Sequence, residues 1–560
     1  MHLFALCVLL IPAGVQAKDL YVSPAGTPAG PGTMAQPYDL ATALAGLAGQ
    51  PGDTFWLTGG NYVIGHIDTK IQGAPGLPIT FRQVPGQRAR VEGTLTFFNS
   101  AGYVLLRDFE MYSGDTNRVS SEIGAGFNPT DIHPITGIAS YSPNMSFINL
   151  VVHDETDEGI YLSQIASNNL IYGCVIFNNG WRSPDNAEGH AIYAQGWNAN
   201  QNIADNILFN NAGVGLHIYD NATNAHLSGI TLDGNVAFNA GAIQSVRVYQ
   251  DMLVGVDAPA INADRIVFEN NMGYFPRMPG ENDAAQIGRQ GINGGVAILN
   301  NYLPEGLEIN NWTIAAVAGN VVGAQSPNYV IKLNQTLTRL AAACNGNTYL
   351  LPATGGGFLL DDAGALGFSA WQSATGYDLN STYSVGNQSG TKVFIRPNRY
   401  EPGRANLIVY NWNKLTNILV DVSSVLAPGE SFEVHNAEDF FARPVLTGVF
   451  DGQPLNLPMT GLPVAVPNGP MITPPPTGPT FNVFVLLPTA LPLQAQVVSG
   501  QLRLSWPVNA GGWVLQFTRN LSANSMWTDV TTAPAVVGSY YVVTVPISRK
   551  SGFYRLKAFP

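Results

Sequence analysis

Between residues 149 and 301 one short pattern keeps returning: an apolar run closed by asparagine, then a turn. Asn149-Leu-Val-Val-His-Asp154 is followed by Cys174-Val-Ile-Phe-Asn-Asn179, Asn206-Ile-Leu-Phe-Asn-Asn211 and Asn235-Val-Ala-Phe-Asn-Ala240, at intervals of 25, 32 and 29 residues. Looser copies are Ile266-Val-Phe-Glu-Asn-Asn271 and Val296-Ala-Ile-Leu-Asn-Asn301. A second repeat runs out of phase with the first: Glu158-Gly-Ile-Tyr161, His190-Ala-Ile-Tyr193, Leu216-His-Ile-Tyr219 and Val246-Arg-Val-Tyr249. Each unit therefore holds at least two short strands and two turns. Irregular repeats of this length predict a parallel β-solenoid, in which each coil stacks on the last and equivalent positions form columns. Asparagine suits the left-handed backbone of a tight corner, and its side chain can ladder from coil to coil. Residues 141–240 contain 17 asparagines, which fits that use. The leucine spacing of a leucine-rich repeat and the regular blades of a propeller are missing.

Composition narrows the function. Charged residues are only 11% of the chain, and the formal charge is −12 with 26 Lys+Arg. So sparse a basic complement argues against nucleic acid as a partner. Scarce Lys and Glu argue against a helical bundle. Residues 2–15 form an apolar run too short for a confident membrane span, and Val15-Gln16-Ala17 offers a signal-peptidase site. Residues 1–17 are thus expected to be a signal peptide, and the protein to be secreted or exported to the periplasm or outer surface of a Gram-negative bacterium. Cys174 and Cys344 are then the remaining cysteines, too few for a disulfide framework or a structural zinc site. The chain is read as a monomer without a membrane span.

The opening segments carry a resemblance. Leu20-Tyr-Val-Ser-Pro-Ala-Gly26, Pro31-Gly-Thr-Met-Ala-Gln-Pro37, Pro51-Gly-Asp-Thr-Phe-Trp56, Gly59-Gly-Asn-Tyr62 and Gly76-Leu-Pro-Ile-Thr-Phe81 resemble the start of bacterial pectate-lyase-like, right-handed parallel β-helix proteins of the pectin lyase-like superfamily. The resemblance implies an all-β fold, with the helix over residues 18–390, and a carbohydrate-active enzyme. Residues 41–49 are expected to cap the first coils and residues 368–378 the last. Alternating strands predict a small β-sandwich at 391–468, a Pro-rich linker at 469–480 and a second β-sandwich module at 481–560, in which Trp513 or Trp527 is a candidate sugar contact.

Strand alternation then sorts the candidate site. Ile160, Ile192, Ile218 and Val248 are placed in one core-facing column. Tyr161, Tyr193, Tyr219 and Tyr249 then face outward as a sugar platform, as do Gly159, Ala191, His217 and Arg247. Acid–base groups gather beside that ladder: Asp154, Asp157 and Glu158 before the first tyrosine strand, Asp185, Glu188 and His190 before the second, His217 and Asp220 in and after the third, Arg247 and Asp251 in and after the fourth. Carboxylates one or two coils apart fall about 5–10 Å apart, the range that glycosidases use for their paired carboxyl groups. Asp157, Glu158, Glu188 and Asp220 are therefore the candidate catalytic carboxylates, assisted by His190, His217 and Arg247. Arg182 and Asp251 join the tyrosines as candidate substrate contacts. No cofactor is required, although Asp154, Asp157 and Glu158 form an alternative set of calcium ligands.

In the lysine-base lyases that the chain resembles, the base stands in a Gly-Phe-Lys-Leu-like strand. The matching stretch here is Gly189-His-Ala-Ile192, with Ala191 in the lysine position. A lyase would need His190, His217, Tyr193 or Tyr219 as base and Arg182, Arg247 or calcium as neutraliser. Thr156-Asp-Glu-Gly159, Gly189-His190 and Val246-Arg-Val248 also resemble, in part, the motifs of β-helix polygalacturonases, without their Asp-Asp pair and final lysine. The expectation is a hydrolase acting on a plant or algal polysaccharide. A uronate lyase and a non-catalytic glycan-binding solenoid are the alternatives.

Overall fold

The computed structural model describes residues 17–558 apart from 47, 99, 222–225, 258–262, 275–283, 325–328, 336–340, 352–356, 362–363, 387, 490–492, 508–512, 521–525, 539 and 548–551. The expected signal peptide, save Ala17, lies outside the described residues. The chain from residue 19 to 385 winds as a right-handed parallel β-helix with three faces. The first face is a 12-stranded parallel sheet, from Asp19–Val22 to Ala341–Asn345. The second and third faces form one 21-stranded sheet, because the strand Ala89–Phe97 bends across both.

The corner from first to second face explains the asparagine repeat. Asp108, Asn149, Asp205, Asn270 and Asn300 stand there at φ of 54–65°, interspersed with Gly173, Gly234, Gly319 and Gly346. These are the residue types that tolerate the left-handed region. The next residue along points inward. Asn206, Asn235, Asn271, Asn301, Asn320 and Asn347 are all buried, and each Nδ2 donates to the Oδ1 of the next at 2.8–3.3 Å. Cys174 N–H donates into the near end and Asp378 accepts at the far end. The expected alignment of Asn149 with Cys174 is corrected by one residue. Leu150 occupies the Cys174 position, since Val151 pairs with Val175.

Columns of aliphatic and aromatic side chains fill the interior, among them Ile138, Ile160, Ile192, Leu216, Met252, Ala285, Leu307 and Ile331 beneath the third face. Ile218 and Val248 are thus not in the column of Ile160. Ile218 pairs with Ala194, and Val248 is exposed outside any strand. The ends are closed by a short helix Leu40–Leu44, N-capped by Asp39, and by Phe368–Thr375, whose Trp371 is buried and donates to Asp378 at 2.9 Å.

The expected domain boundaries shift. Phe481–Pro488 pairs with both Ala405–Asn411 and Ser431–Asn436, so the first sandwich runs to residue 488 and residues 469–480 lead into its last strand. This sandwich lies against the second face. Ile408, Tyr410, Phe481, Val483 and Val485 pack on Val175, Phe177, Phe209 and Phe238. At its edge Arg396 pairs with Asp205 at 2.6 Å and with Asp233 at 3.1 Å. The last unit, from Gln494 to Ala558, has a four-stranded and a three-stranded antiparallel sheet around Leu504, Trp506, Leu515 and Val543. Within it Arg555 lies over the Trp527 ring at 4.3 Å; the Trp513 side chain lies outside the described residues.

Candidate active site

The third face carries half-buried polar and aromatic side chains. Its outward column reads Thr96, Ala139, Tyr161, Tyr193, His217, Leu253, Gln286, Glu308 and Lys332. The expected ladder of four tyrosines is therefore two tyrosines and a histidine. Tyr219 sits two residues beyond His217 on the same side of its strand, and Tyr249 lies in a loop, buried. Ring contacts link Phe98, Tyr141, Tyr161, Tyr193, His217 and Tyr219, with successive centroids 6.0, 5.9, 5.4, 4.9 and 4.8 Å apart. Tyr161 OH donates to Gln195 and the Gln195 amide to Tyr193 OH. Burial pushes the hydroxyls of Tyr161, Tyr193 and Tyr219 above their usual range. They are donors at neutral pH, which disfavours Tyr193 and Tyr219 as bases.

Beside this track, at the corner between second and third faces, the chain brings together Asp157, Glu158, Glu188, His190, Arg247 and Tyr249. Glu188 stands on a hairpin of Trp181–Arg182 and Ala187–Glu188. The hairpin leaves and rejoins the coil at Gly180 and Gly189, both at φ 106°, where a Cβ on Gly189 would sit 2.0 Å from Gly180 Cα. Glu188 Oε1 accepts from Arg247 at 2.9 Å and from Tyr249 OH at 3.0 Å. Its Oε2 lies 3.4 Å from His190 Nε2. His190 Nδ1 accepts the Val214 N–H at 2.8 Å, which leaves the ring proton on Nε2, facing Glu188. Glu158 accepts from Thr136 at 2.9 Å. Asp157 is pushed well above the usual carboxylate range by burial, then by the charge and hydrogen bond of Glu158 and the charge of Glu188. These surroundings favour its protonated form.

His217 completes the cluster, its ring 4.0 Å from that of His190. Its Nδ1 is buried with no hydrogen-bond partner in the protein. Burial, and then His190, Arg289 and Arg247, hold its pKa well below the usual histidine value, so it is a neutral imidazole.

Four expected residues are not in this cluster. Asp220 is wholly buried, and both its oxygens accept from Gln164. Asp251 is also wholly buried, accepting the Ala240 N–H at the second corner; it cannot meet substrate. Arg182 turns toward the Pro470 carbonyl. Asp154, at φ 57°, points back to the second face and pairs with Arg118 at 3.2 Å and His153 at 2.8 Å. Asp154, Asp157 and Glu158 therefore do not converge as a calcium cage, and among the described residues no group of three or more His, Cys, Asp or Glu is arranged to hold a metal ion. Ala191 and Gly159, expected outward, are fully buried.

The sequence reading missed Arg289 and Asp257, paired at 2.6 Å, with Asp257 accepting from Tyr219 OH and Arg289 over its ring. It also missed Arg118, fully buried, which ties the loop after Tyr112 to the carbonyls of Asn178 and Gly180. Loop residues of this kind leave no periodic trace.

A three-faced helix with an acid–base cluster on one open face invites comparison with known proteins. Residues 20–252 match the family model of a Pel9A-like, right-handed β-helix region. Among solved structures the chain is similar to pectate lyase Pel9A, at 15% identity over 64% of this chain and 83% of that one, with a TM-score of 0.37. It is similar to a GH136 lacto-N-biosidase from Eubacterium ramulus, at 14% identity over 66% and 68%, TM-score 0.39. The catalytic unit of a GH87 α-1,3-glucanase from Streptomyces thermodiastaticus gives 16% identity over 66% and 71%, TM-score 0.36. No curated protein matches the chain. The Pel9A-like segment ends at Met252 and so includes the whole acid–base cluster but neither Asp257 nor Arg289.

Proposed function

We propose that this protein is a secreted enzyme that cleaves glycosidic bonds of a polysaccharide laid along the third face. The observation that carries the reading is the gathering of Asp157, held well above the usual carboxylate range, with the Arg247-bound Glu188 beside a track of aromatic rings. Two neighbouring carboxyl groups, one of them held above its usual range, are the equipment of glycoside hydrolysis. Asp157 gives its proton to the leaving oxygen. Glu188, oriented by Arg247 and Tyr249, takes a proton from the water that attacks the anomeric carbon as the bond to the leaving oxygen breaks. Tyr161 and Tyr193 present ring faces to the sugar and hydroxyls to its oxygens. The Pel9A-like match supports a polysaccharide as substrate, and the apolar run at residues 2–15 supports export. Among the described residues no helix is long and apolar enough to cross a membrane.

A second reading has its own observation. His217 is neutral, its Nδ1 has no partner in the protein, and Arg247 and Arg289 act on it electrostatically. An imidazole base next to guanidinium groups is what β-elimination from a uronate requires. One screen separates the two: purified protein is incubated with neutral and uronate polysaccharides while reducing ends and the ultraviolet absorbance of unsaturated uronates are both followed. Reducing ends without absorbance, lost in D157N, support hydrolysis. Absorbance lost in H217A makes the protein a lyase. Binding without either signal makes it a glycan-binding solenoid.

A further inference from the structure

The third face continues beyond the acid–base cluster. Two and three coils past His217 its outward column presents Gln286 and Glu308. There an open depression of about 360 Å³ is lined by Gln286, Arg289, Gln290, Glu308, Asn310 and Asn334, at the small end of the range of ligand pockets. Asn310 is 4% exposed. Its Nδ2 donates to Gly288 O at 3.1 Å and to Glu308 Oε1 at 2.8 Å, yet its Oδ1 has no hydrogen-bond partner in the protein. A buried amide oxygen without a donor is unfavourable, and a ligand hydroxyl is a donor that would recover it. The charges around it are already matched. Arg289 pairs with Asp257 at 2.6 Å and Lys332 with Glu308 at 3.0 Å. The depression thus offers amide donors and acceptors together with compensated ions, a surface suited to hydroxyls and poorly suited to an added carboxylate.

We propose that this depression is a distal subsite for an uncharged sugar unit of the substrate chain. It rests on the reading of the third face as a glycan groove. At about 4.8 Å per coil it lies roughly 10–14 Å from His217, on the order of two to three sugar units along the chain.

The test is calorimetric titration of the full-length D157N protein, whose turnover is expected to be reduced about 10³-fold, with neutral and uronate oligosaccharides of two and of five units. The expected result is that neutral pentamers bind about tenfold tighter than dimers. The Q286A/Q290A double variant should lose most of that gain and keep dimer affinity. Asn310 is left intact in this variant because its amide also ties two coils together. Equal affinity for dimers and pentamers, or equal losses for both in the double variant, would overturn the subsite and leave the groove standing. A gain with length confined to uronate oligomers would overturn the uncharged-sugar assignment. Absence of binding by any oligosaccharide would overturn the groove itself, and the subsite with it.

Discussion

The second and third faces each carry a column of aromatic rings, yet the two columns do opposite work. On the second face Tyr112, His153, Phe177, Phe209 and Phe238 stack nearly parallel, 4.9–5.7 Å apart with interplanar angles of 4–16°. Phe481 closes on the last ring, and the 391–488 sandwich covers the column. On the third face the rings range from stacked to edge-on, with interplanar angles of 11–69°, and Tyr161, Tyr193, His217 and Tyr219 bear hydroxyl or imidazole groups and remain half-buried. The same coil geometry supports both. What separates them is the run at the centre of each column: Phe177, Phe209 and Phe238 on one face recruit a packed domain, and Tyr161, Tyr193 and His217 on the other keep a surface that water and sugar can share.

The sharpest way to break this contrast is to strike each face and read both stability and activity. D157N on the third face should reduce turnover about 10³-fold, the scale of a lost general acid, with thermal stability changed little. If turnover survives, the third face is not where the chemistry happens. F209A on the second face should cost about 3–4 kcal/mol of unfolding free energy, because Phe209 is fully buried between two rings and the sandwich. Activity per folded molecule should be unchanged, and a denaturant titration with a parallel assay checks both.

The edge of the second face supplies a pH test. Burial raises the Glu110 carboxyl, but hydrogen bonds from His153 and Arg88, then their charges, outweigh it and hold it at about 2. Relative to the ordinary value near ~4.3, that contributes about 3 kcal/mol of stability. This is complete above the ordinary value and lost as pH falls through about 2. Burial lowers the His153 pKa, but Asp154 and Glu110 overcome it and raise the net value. Its contribution is complete below the ordinary histidine value near ~6.5 and lost as pH rises through the raised one. Stability should therefore be greatest on the mildly acidic side of neutrality, and E110Q should flatten the profile at both ends. An E110Q profile that matches the parent would mean that the ion network does not couple to folding.

Activity should follow a different group. Since Asp157 must hold its proton, hydrolysis should persist above the usual carboxylate range and fall as pH rises through the raised Asp157 value. A rate that instead rose with pH from the acid side, through the lowered pKa of His217, would point to the imidazole as base. Smallest of all, Y193F should raise KM a few-fold with kcat nearly constant, because it removes one hydroxyl and keeps the ring. A kcat loss as large as that of D157N would move Tyr193 from sugar contact to chemistry.

How much of this was legible follows from what alternation can and cannot record. The coil repeat, the corner asparagines and the choice of the face around Tyr161 and Tyr193 are all periodic, and periodicity survives in a sequence. Register is harder. Tyr219 was matched to Tyr193 although His217 is its partner. A slip of two residues keeps every side chain on the same face, so alternation cannot detect it. Asp251 looked equivalent to the other strand-end acids, but it belongs to a corner whose wall is completed by Ala240. The strand Phe481–Pro488 was given to the wrong unit because its partner Ala405–Asn411 is some seventy residues away, and antiparallel pairing across such a gap has no local signature.

The asparagine ladder has a consequence for how such a molecule can change. From Asn206 to Asn347 each rung makes the same bonds to the rung above and below, so no rung is tied to a particular neighbour. A whole coil copied or deleted between two rungs would find its ends already matched. Groove length then becomes a quantity that heredity can adjust in whole steps of about 4.8 Å, while the acid–base cluster and both end caps stay as they are.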